Sequence, residues 1–140
     1  MAALAVLTTA FATHRPVNPP HEITVWKSPS CGCCGAWVAY MREHGFKVTV
    51  VDMNDVNPVK RQHKVPENLW SCHTAVVDGY VIEGHVPAPD IERLLREHPN
   101  VAGLAVPGMV TGSPGMEGGR AQAYDVVSFG DAKTQVYAHH

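Results

Sequence analysis

Apolar and polar positions in the first part of the chain predict a strand, a helix and a second strand. Residues 23–26 are apolar or β-branched and lie between prolines, which is typical of a short strand. Apolar residues at helical spacing over 37–41 predict a helix that ends at Gly45, and Ser30 offers a hydroxyl to cap its start. Residues 46–51 alternate again and predict the second strand. We expect the two strands of this β-α-β unit to be parallel.

The pattern continues with a helix, a hairpin and a last helix. An Asn-Pro pair begins a helix that is predicted over residues 57–65. Residues 74–77 and 80–86 are apolar and flank Asp78-Gly79, a dipeptide typical of tight hairpin turns. An apolar stripe over 91–95 follows a proline and predicts the last helix. The predicted order, β-α-β-α-β-β-α, indicates an α/β domain.

A stretch rich in Gly, Pro and Met changes the character of the chain after residue 100. Two Pro-Gly-Met sequences predict an irregular loop. Residues 124–129 and 134–137 then flank Gly130-Asp131 and predict a closing hairpin. We therefore describe residues 101–140 as a C-terminal extension of the domain.

The first twelve residues are almost entirely small and apolar and predict a secretory leader. Ala10-Phe11-Ala12 matches the small-x-small pattern of a signal-peptidase site, and a polar, proline-rich linker follows. The alternative is an alanine-rich terminus that stays on the mature protein, because no Lys or Arg precedes the apolar run. The run is shorter than the roughly 20 apolar residues of a membrane span, so none is expected in the mature chain. We assign residues 1–22 to leader and linker and residues 23–140 to one domain.

The composition excludes several classes of function. The formal net charge is −2 and no segment concentrates Lys or Arg, which argues against a nucleic-acid partner. No Ser-His-Asp set, phosphate-binding loop or carboxylate pair with an identifiable role supports hydrolysis or phosphoryl transfer.

Three of the four cysteines lie within four residues, in Cys31-Gly32-Cys33-Cys34, and the fourth is Cys72. This density is too high for an ordinary disulfide framework, whose cysteines are spread out to join distant segments. The spacing also differs from the paired spacing of zinc fingers and ribbons. The pattern therefore predicts thiol chemistry or a metal that accepts shared thiolates.

Helical geometry suggests how these cysteines are arranged. Cys31 and Cys34 are three residues apart and share a face, in a first turn whose N–H groups stabilise thiolates. Cys33 is expected to point away, by about 200° from Cys31. One tetrahedral ion would not easily bind all three sulfurs. A cluster with bridging sulfurs, or two chains that meet across the site, could use all three as ligands. Soft thiolates favour Cu(I), with zinc as the less favoured alternative.

Four segments together resemble one known family. They read WKSPSCGCCG at 26–35, SCHTAVV at 71–77, YVIEGHVP at 80–87 and GLAVPGM at 103–109. They are similar to the small bacterial thioredoxin-like metal-binding proteins that include the periplasmic copper-resistance protein CopG, over about residues 23–137. The resemblance implies a thioredoxin-like fold that holds copper through its cysteines and acts in copper resistance in the periplasm. Other periplasmic copper-handling proteins are then possible partners.

The same resemblance extends the candidate site to Cys72. In thioredoxin-like proteins the residues before the third strand, normally ending in a cis-proline, lie against the Cys-x-x-Cys turn. Here Cys72-His73 occupies that place, so we expect Cys31, Cys33, Cys34 and Cys72 to converge on one metal site. Weaker candidate ligands are His73, Met109 and Met116, and the alternative for each methionine is packing. We expect His85 to be a polar surface residue, with ligation as the alternative.

Other functions remain open at this point. The chain would suit a thiol–disulfide oxidoreductase of the thioredoxin type, or a structural zinc–thiolate protein. A third interpretation is a Cys31–Cys34 disulfide with Cys33 and Cys72 as buried small hydrophobes. Copper-dependent oxidoreductase activity is also compatible with the sequence, which assigns no catalytic residue.

Overall fold

The computed structural model describes residues 20–140, so the predicted leader at 1–12 lies outside the described residues. The described part contains seven strands, three α-helices and a short 3-10 turn. In chain order they are β1 Glu22–Lys27, α1 Gly32–Glu43, β2 Lys47–Asp52, α2 Asn57–Gln62, the turn Glu67–Leu69, β3 Thr74–Val77, β4 Tyr80–Glu83, α3 Ala88–Glu97, β5 Gly103–Ala105, β6 Asp125–Phe129 and β7 Gln135–His139. Among these residues, no helix has the length and apolar character that a membrane crossing requires.

All seven strands form one mixed sheet with the order β2-β1-β3-β4-β5-β6-β7. β1 and β2 are parallel, with Val25 opposite Val50, as the β-α-β pattern predicts. β3 and β4 form the predicted antiparallel hairpin around Asp78-Gly79. β6 and β7 form the predicted closing hairpin. The mixed α/β class is therefore confirmed.

Strand β5 is the element that the sequence pattern does not predict. Its three residues are all buried and pair with β4 on one side and β6 on the other. A short strand buried on both faces shows no alternation of apolar and polar residues, so it lacks the usual signal. Gly103 is required there because an added Cβ would collide with the carbonyl oxygen of Val81. β5 thus joins the C-terminal hairpin to the rest of the sheet.

At three element boundaries the local structure explains why the sequence-based expectation differs. Cys31, not Ser30, is the N-cap of α1, and the Ser30 hydroxyl is instead 3.0 Å from that of Ser28. Helix α2 ends at Gln62, and the chain turns at Lys64, whose φ is +54°. Strand β4 ends at Glu83, because Gly84 has a φ of +74° and turns the chain.

The hydrophobic core covers both faces of the sheet. The larger part packs helices α1 and α3 against one face; its fully buried members include Ile23, Val25, Trp37, Met41, Ile82, Ile91, Leu94 and Leu104. The smaller part lies on the other face and contains Val65, Leu69, Val81, Ala105 and Phe129. This packing fixes the start of α1, the segment before β3 and the end of β4 relative to one another.

Candidate metal centre

The four cysteine sulfurs come together where the start of α1 meets the segment that precedes β3. The sulfurs of Cys31, Cys33, Cys34 and Cys72 all lie within 4.8 Å of one another. The four sulfurs thus come together as the sequence predicts, and their binding of one metal stays a prediction.

A disulfide joins Cys31 and Cys34, whose Cα atoms are 5.3 Å apart. Cys33 and Cys72 are free and half-buried. The third interpretation of the sequence requires both side chains to be enclosed in the core. They are not enclosed, and their sulfurs lie beside the disulfide. The site thus contains one disulfide and two free thiols.

The expected direction of Cys33 is wrong. Its sulfur lies 3.5 Å from that of Cys31, on the same side of the helix start. The helical angle between these residues does not apply, because Cys31 is the N-cap and has an extended backbone, with φ −81° and ψ 95°. Regular periodicity begins only at Gly32.

His85 is a functional candidate that the sequence analysis placed on the surface, and the structure corrects this. Its side chain is fully buried, with Nε2 3.1 Å from Cys72 Sγ and Nδ1 2.6 Å from the carbonyl oxygen of Pro114. A carbonyl oxygen only accepts, so Nδ1 carries the hydrogen and the Nε2 lone pair faces the sulfur. In the sequence, the glycine at position 84 was the available signal for this burial. It allows the positive φ that turns the chain after β4 and directs His85 back toward the site.

His73 lies beside the same sulfur. It is fully buried, with Nδ1 3.4 Å from Cys72 Sγ and its ring 4.5 Å from that of Trp37 and 5.0 Å from that of His85. Its Nε2 atom has no hydrogen-bond partner in the part of the chain that the structure describes. A buried polar atom without a partner costs free energy, which a bound ligand would recover. Cys72, His73 and His85 form a second group of donor atoms within 4.8 Å of one another.

Burial sets the protonation of these donors. It lowers the pKa of His73 well below its usual range, and the neighbouring His85 and Lys60 act in the same direction. Burial also lowers the pKa of His85, so both imidazoles are neutral near pH 7 and keep a lone pair. Burial, reinforced by Cys33, raises the pKa of the Cys72 thiol to about 12. The metal-free Cys72 is therefore a thiol that donates to His85 Nε2.

The C-terminal extension contributes directly to the surroundings of the site. Gly115 has a φ of +85°, and an added Cβ would lie 2.8 Å from both Cys33 O and Trp37 N, and 3.1 Å from His85 Nδ1. Met116 lines a surface cavity of about 420 Å³ together with Cys33, Gly32 and Glu117. Met109 is 48% exposed. Of the two candidate methionines, the structure places Met116 beside the cysteines and Met109 at the surface.

Comparison with known proteins identifies the family. A family model described as "Protein of unknown function, DUF411" matches residues 69–116. Two solved structures, described as "Copper resistance protein copG- Form 2" and "Form 1", are each 46% identical to this chain, with TM-scores of 0.82 and 0.81. Each alignment covers 86% of this chain and 98% of the solved one. The chain belongs to the CopG family. No curated protein matches the sequence.

Membership of the CopG family confirms the resemblance noted in the sequence, and the donor set of this chain fits a soft metal ion. The two groups that could hold an ion within residues 20–140 contain only thiols and imidazoles, without a carboxylate. Thiolates and imidazoles suit copper and zinc, whereas carboxylates suit magnesium and calcium. The buried Nε2 atom of His73, which has no partner within residues 20–140, is a further nitrogen donor that such an ion could use.

Proposed function

We propose that this protein binds copper in copper resistance, and that Cys31, Cys33, Cys34 and Cys72 hold Cu(I) as thiolates. The observation that carries the proposal is the approach of the four sulfurs to within 4.8 Å of one another. Two metal–sulfur bonds of ~2.3 Å span at most about 4.6 Å, which is close to this upper limit, so the sulfurs are near the spacing for ligation of a shared ion or bridging between ions. The relation to proteins described as copper resistance protein CopG supports copper as the metal.

The redox state of the cysteines decides how many of them are available. A disulfide sulfur is a poor ligand, so Cys31 and Cys34 must first take up two electrons and two protons to become thiols. Cys33 and Cys72 are already free. The fully reduced site offers four sulfurs, enough for bridging between several Cu(I) ions.

The two buried imidazoles widen the range of ions that the site accepts. His73 and His85 lie against Cys72 with neutral rings, and imidazole suits Cu(II) and zinc as well as Cu(I). We therefore include both histidines among the proposed ligands, with Met116 as a candidate at the edge of the cavity. A site with thiolates on one side and imidazoles on the other offers donors for both copper oxidation states, which is compatible with a copper-dependent oxidoreductase.

A thiol–disulfide oxidoreductase of the thioredoxin type is the second candidate, and the Cys31–Cys34 disulfide favours it. The element order from β1 to α3, with the disulfide at the start of the first helix, supports a thioredoxin-like fold. Against this activity, Cys72-His73 precedes β3 where such enzymes carry the proline that holds a substrate chain. A structural zinc–thiolate site would use the same donors.

Localisation in the periplasm is part of the proposal. It is supported by the leader-like pattern of residues 1–12, and it implies other periplasmic copper-handling proteins as partners. Cell fractionation together with N-terminal sequencing of the mature protein tests it: cleavage after Ala12 supports export, and a cytoplasmic protein that keeps Met1 contradicts it.

Metal analysis of tag-free, anaerobically reduced protein separates the candidates. We expect several Cu(I) ions per chain in competition with a chromophoric chelator, and weaker binding in Cys72→Ser, because a hydroxyl is a poor soft ligand. Ser30→Ala, an exposed change next to the cluster, is the control and should bind as the wild type does. Insulin reduction at the rate of a dedicated thioredoxin, with Cu(I) binding no stronger than that of glutathione, would reverse the choice.

A further inference from the structure

A buried ion pair lies beside the metal centre and is not part of its donor set. Lys60 of α2 and Glu83 of β4 have side chains that are 3% and 0% exposed, and Lys60 Nζ donates to Glu83 Oε1 over 2.5 Å. Lys60 Nζ also donates to the hydroxyl oxygen of Thr74 over 2.9 Å. Removing two charges from water is costly, and a buried pair rarely adds net stability over an apolar replacement. Its presence therefore calls for another explanation.

The carboxylate of Glu83 holds both ends of the segment that carries Cys72 and His73. At one end, the backbone N–H of Ser71 donates to Glu83 Oε1 over 2.8 Å. At the other end, the hydroxyl of Thr74 donates to Glu83 Oε2 over 2.7 Å. Both oxygens thus accept from the segment, and a charged acceptor strengthens each hydrogen bond.

The same strand end also leads into His85. Gly84 follows Glu83, and its backbone N–H donates to the carbonyl oxygen of His73 over 3.0 Å. His85 comes next and places Nε2 against Cys72 Sγ. A displacement of Glu83 would therefore change the separation of Cys72 from His85 and from the cysteines of α1.

We propose that Lys60 and Glu83 are positioning residues of the metal centre: Glu83 clamps residues 71–74, and Lys60 keeps that carboxylate buried and charged. The part of the inference that concerns metal binding rests on the proposed function. The part that concerns the metal-free protein rests on the hydrogen bonds alone. Removal of a residue that orients a metal ligand through a hydrogen bond typically lowers metal affinity by roughly 10–100-fold.

Three double variants test the clamp. Lys60→Met/Glu83→Leu replaces the pair with apolar groups and removes every side-chain hydrogen bond from the pair to the segment, without leaving a buried charge. Lys60→Met/Glu83→Gln also removes both charges, but its amide oxygen still accepts from Ser71 N–H and its amide nitrogen donates to Thr74. Lys47→Met/Glu22→Gln removes an exposed Lys–Glu pair between β1 and β2 and is the matched control.

The metal-free measurement is the rate at which iodoacetamide alkylates Cys72, resolved by peptide mass spectrometry. The leucine variant should react at least roughly tenfold faster than wild type, because its Cys72 leaves the buried position that suppresses the thiolate. The glutamine variant and the control should stay within about threefold of wild type, since both keep the segment tied. Unchanged alkylation in a folded leucine variant would overturn the proposal, as would equal acceleration in the leucine and glutamine variants.

The second measurement is the Cu(I) affinity of the reduced proteins in chelator competition. We expect a loss of roughly 10–100-fold in the leucine variant and recovery in the glutamine variant. If wild type itself binds no Cu(I), the proposed function fails while the alkylation rates still decide the clamp. If circular dichroism shows that the leucine variant is unfolded, the Thr74→Val variant is measured in its place. This change removes only the hydrogen bonds at one end and should still accelerate alkylation severalfold; an unchanged rate overturns the proposal.

Discussion

At the scale of single residues, His85 connects the candidate metal centre to the C-terminal extension through one imidazole. Nε2 faces Cys72 Sγ and Nδ1 donates to Pro114 O. We expect His85→Ala to cost about 1–3 kcal/mol of unfolding free energy, because it removes a fully buried imidazole and leaves the part-buried carbonyl oxygen of Pro114 without its donor. Copper affinity should also fall. Urea unfolding and chelator competition measure the two effects, with the exposed His44→Ala as control. Unchanged copper affinity would remove His85 from the ligand set.

Gly115 is a position where both backbone and space demand glycine. Gly115→Ala should destabilise the protein by at least about 2 kcal/mol, since it combines a left-handed φ with contact against the backbone of α1. Gly118→Ala is the matched control: its φ is +107°, but nothing lies within 4 Å of the added Cβ. Urea unfolding curves for both variants give the comparison. Equal losses would show that strain alone, and not the approach to Cys33, explains the glycine.

The Cys72 thiol predicts a pH dependence of metal binding. Burial raises its pKa to about 12, so it is protonated in the metal-free protein near neutral pH, and a metal that binds its sulfur must displace that proton. Apparent affinity should therefore rise with pH, by roughly tenfold per unit for each proton released. Calorimetry in buffers of different ionisation enthalpy counts these protons. Cys72→Ser should release one fewer per chain; an equal count would contradict ligation by Cys72.

At the scale of elements, the sequence predicts strands that alternate and helices that follow the 3.6-residue period. The β1–β2 pair and the two hairpins carry those signals, and the structure contains them. β5 carries none because both of its faces are buried. The convergence of the cysteines could be predicted from the resemblance to thioredoxin-like proteins, in which the residues before the third strand lie against the Cys-x-x-Cys turn. The direction of the Cys33 side chain depends on the extended N-cap at Cys31, which helical periodicity does not report. The burial of His85 depends on the distant loop at Pro114, and the glycine at position 84 was the only local signal for it.

Gly103 makes β5 a test of how firmly the extension is joined to the domain. Gly103→Ala would drive a methyl group into the Val81 carbonyl, so we expect β4 and β5 to separate and the unfolding free energy to fall by at least about 3 kcal/mol. Hydrogen exchange should show lost protection in β5 and β6 before β1 and β2. Gly35→Ala, on α1 with open space around it, is the control. Uniform protection in Gly103→Ala would mean that the strand adapts to the methyl group.

At the scale of the whole molecule, the sheet is continuous from β2 to β7, and the extension completes it. The loop before β6 packs on the start of α1 through Gly115, so the site and the end of the chain depend on each other. Residues 101–140 are therefore an integral part of the described fold.

If the four cysteines bind metal as proposed, the Cys31–Cys34 disulfide makes the number of available ligands depend on the supply of reductant. Each chain that contains this disulfide has two thiols fewer than the fully reduced chain. Thiol titration of the denatured chain should give two reactive groups before reduction and four afterwards. Four groups without prior reduction would contradict the closed bond. Where oxidants prevail, the same amount of protein would therefore bind less metal, and a reductant that supplies two electrons and two protons per chain would restore the lost ligands without new synthesis.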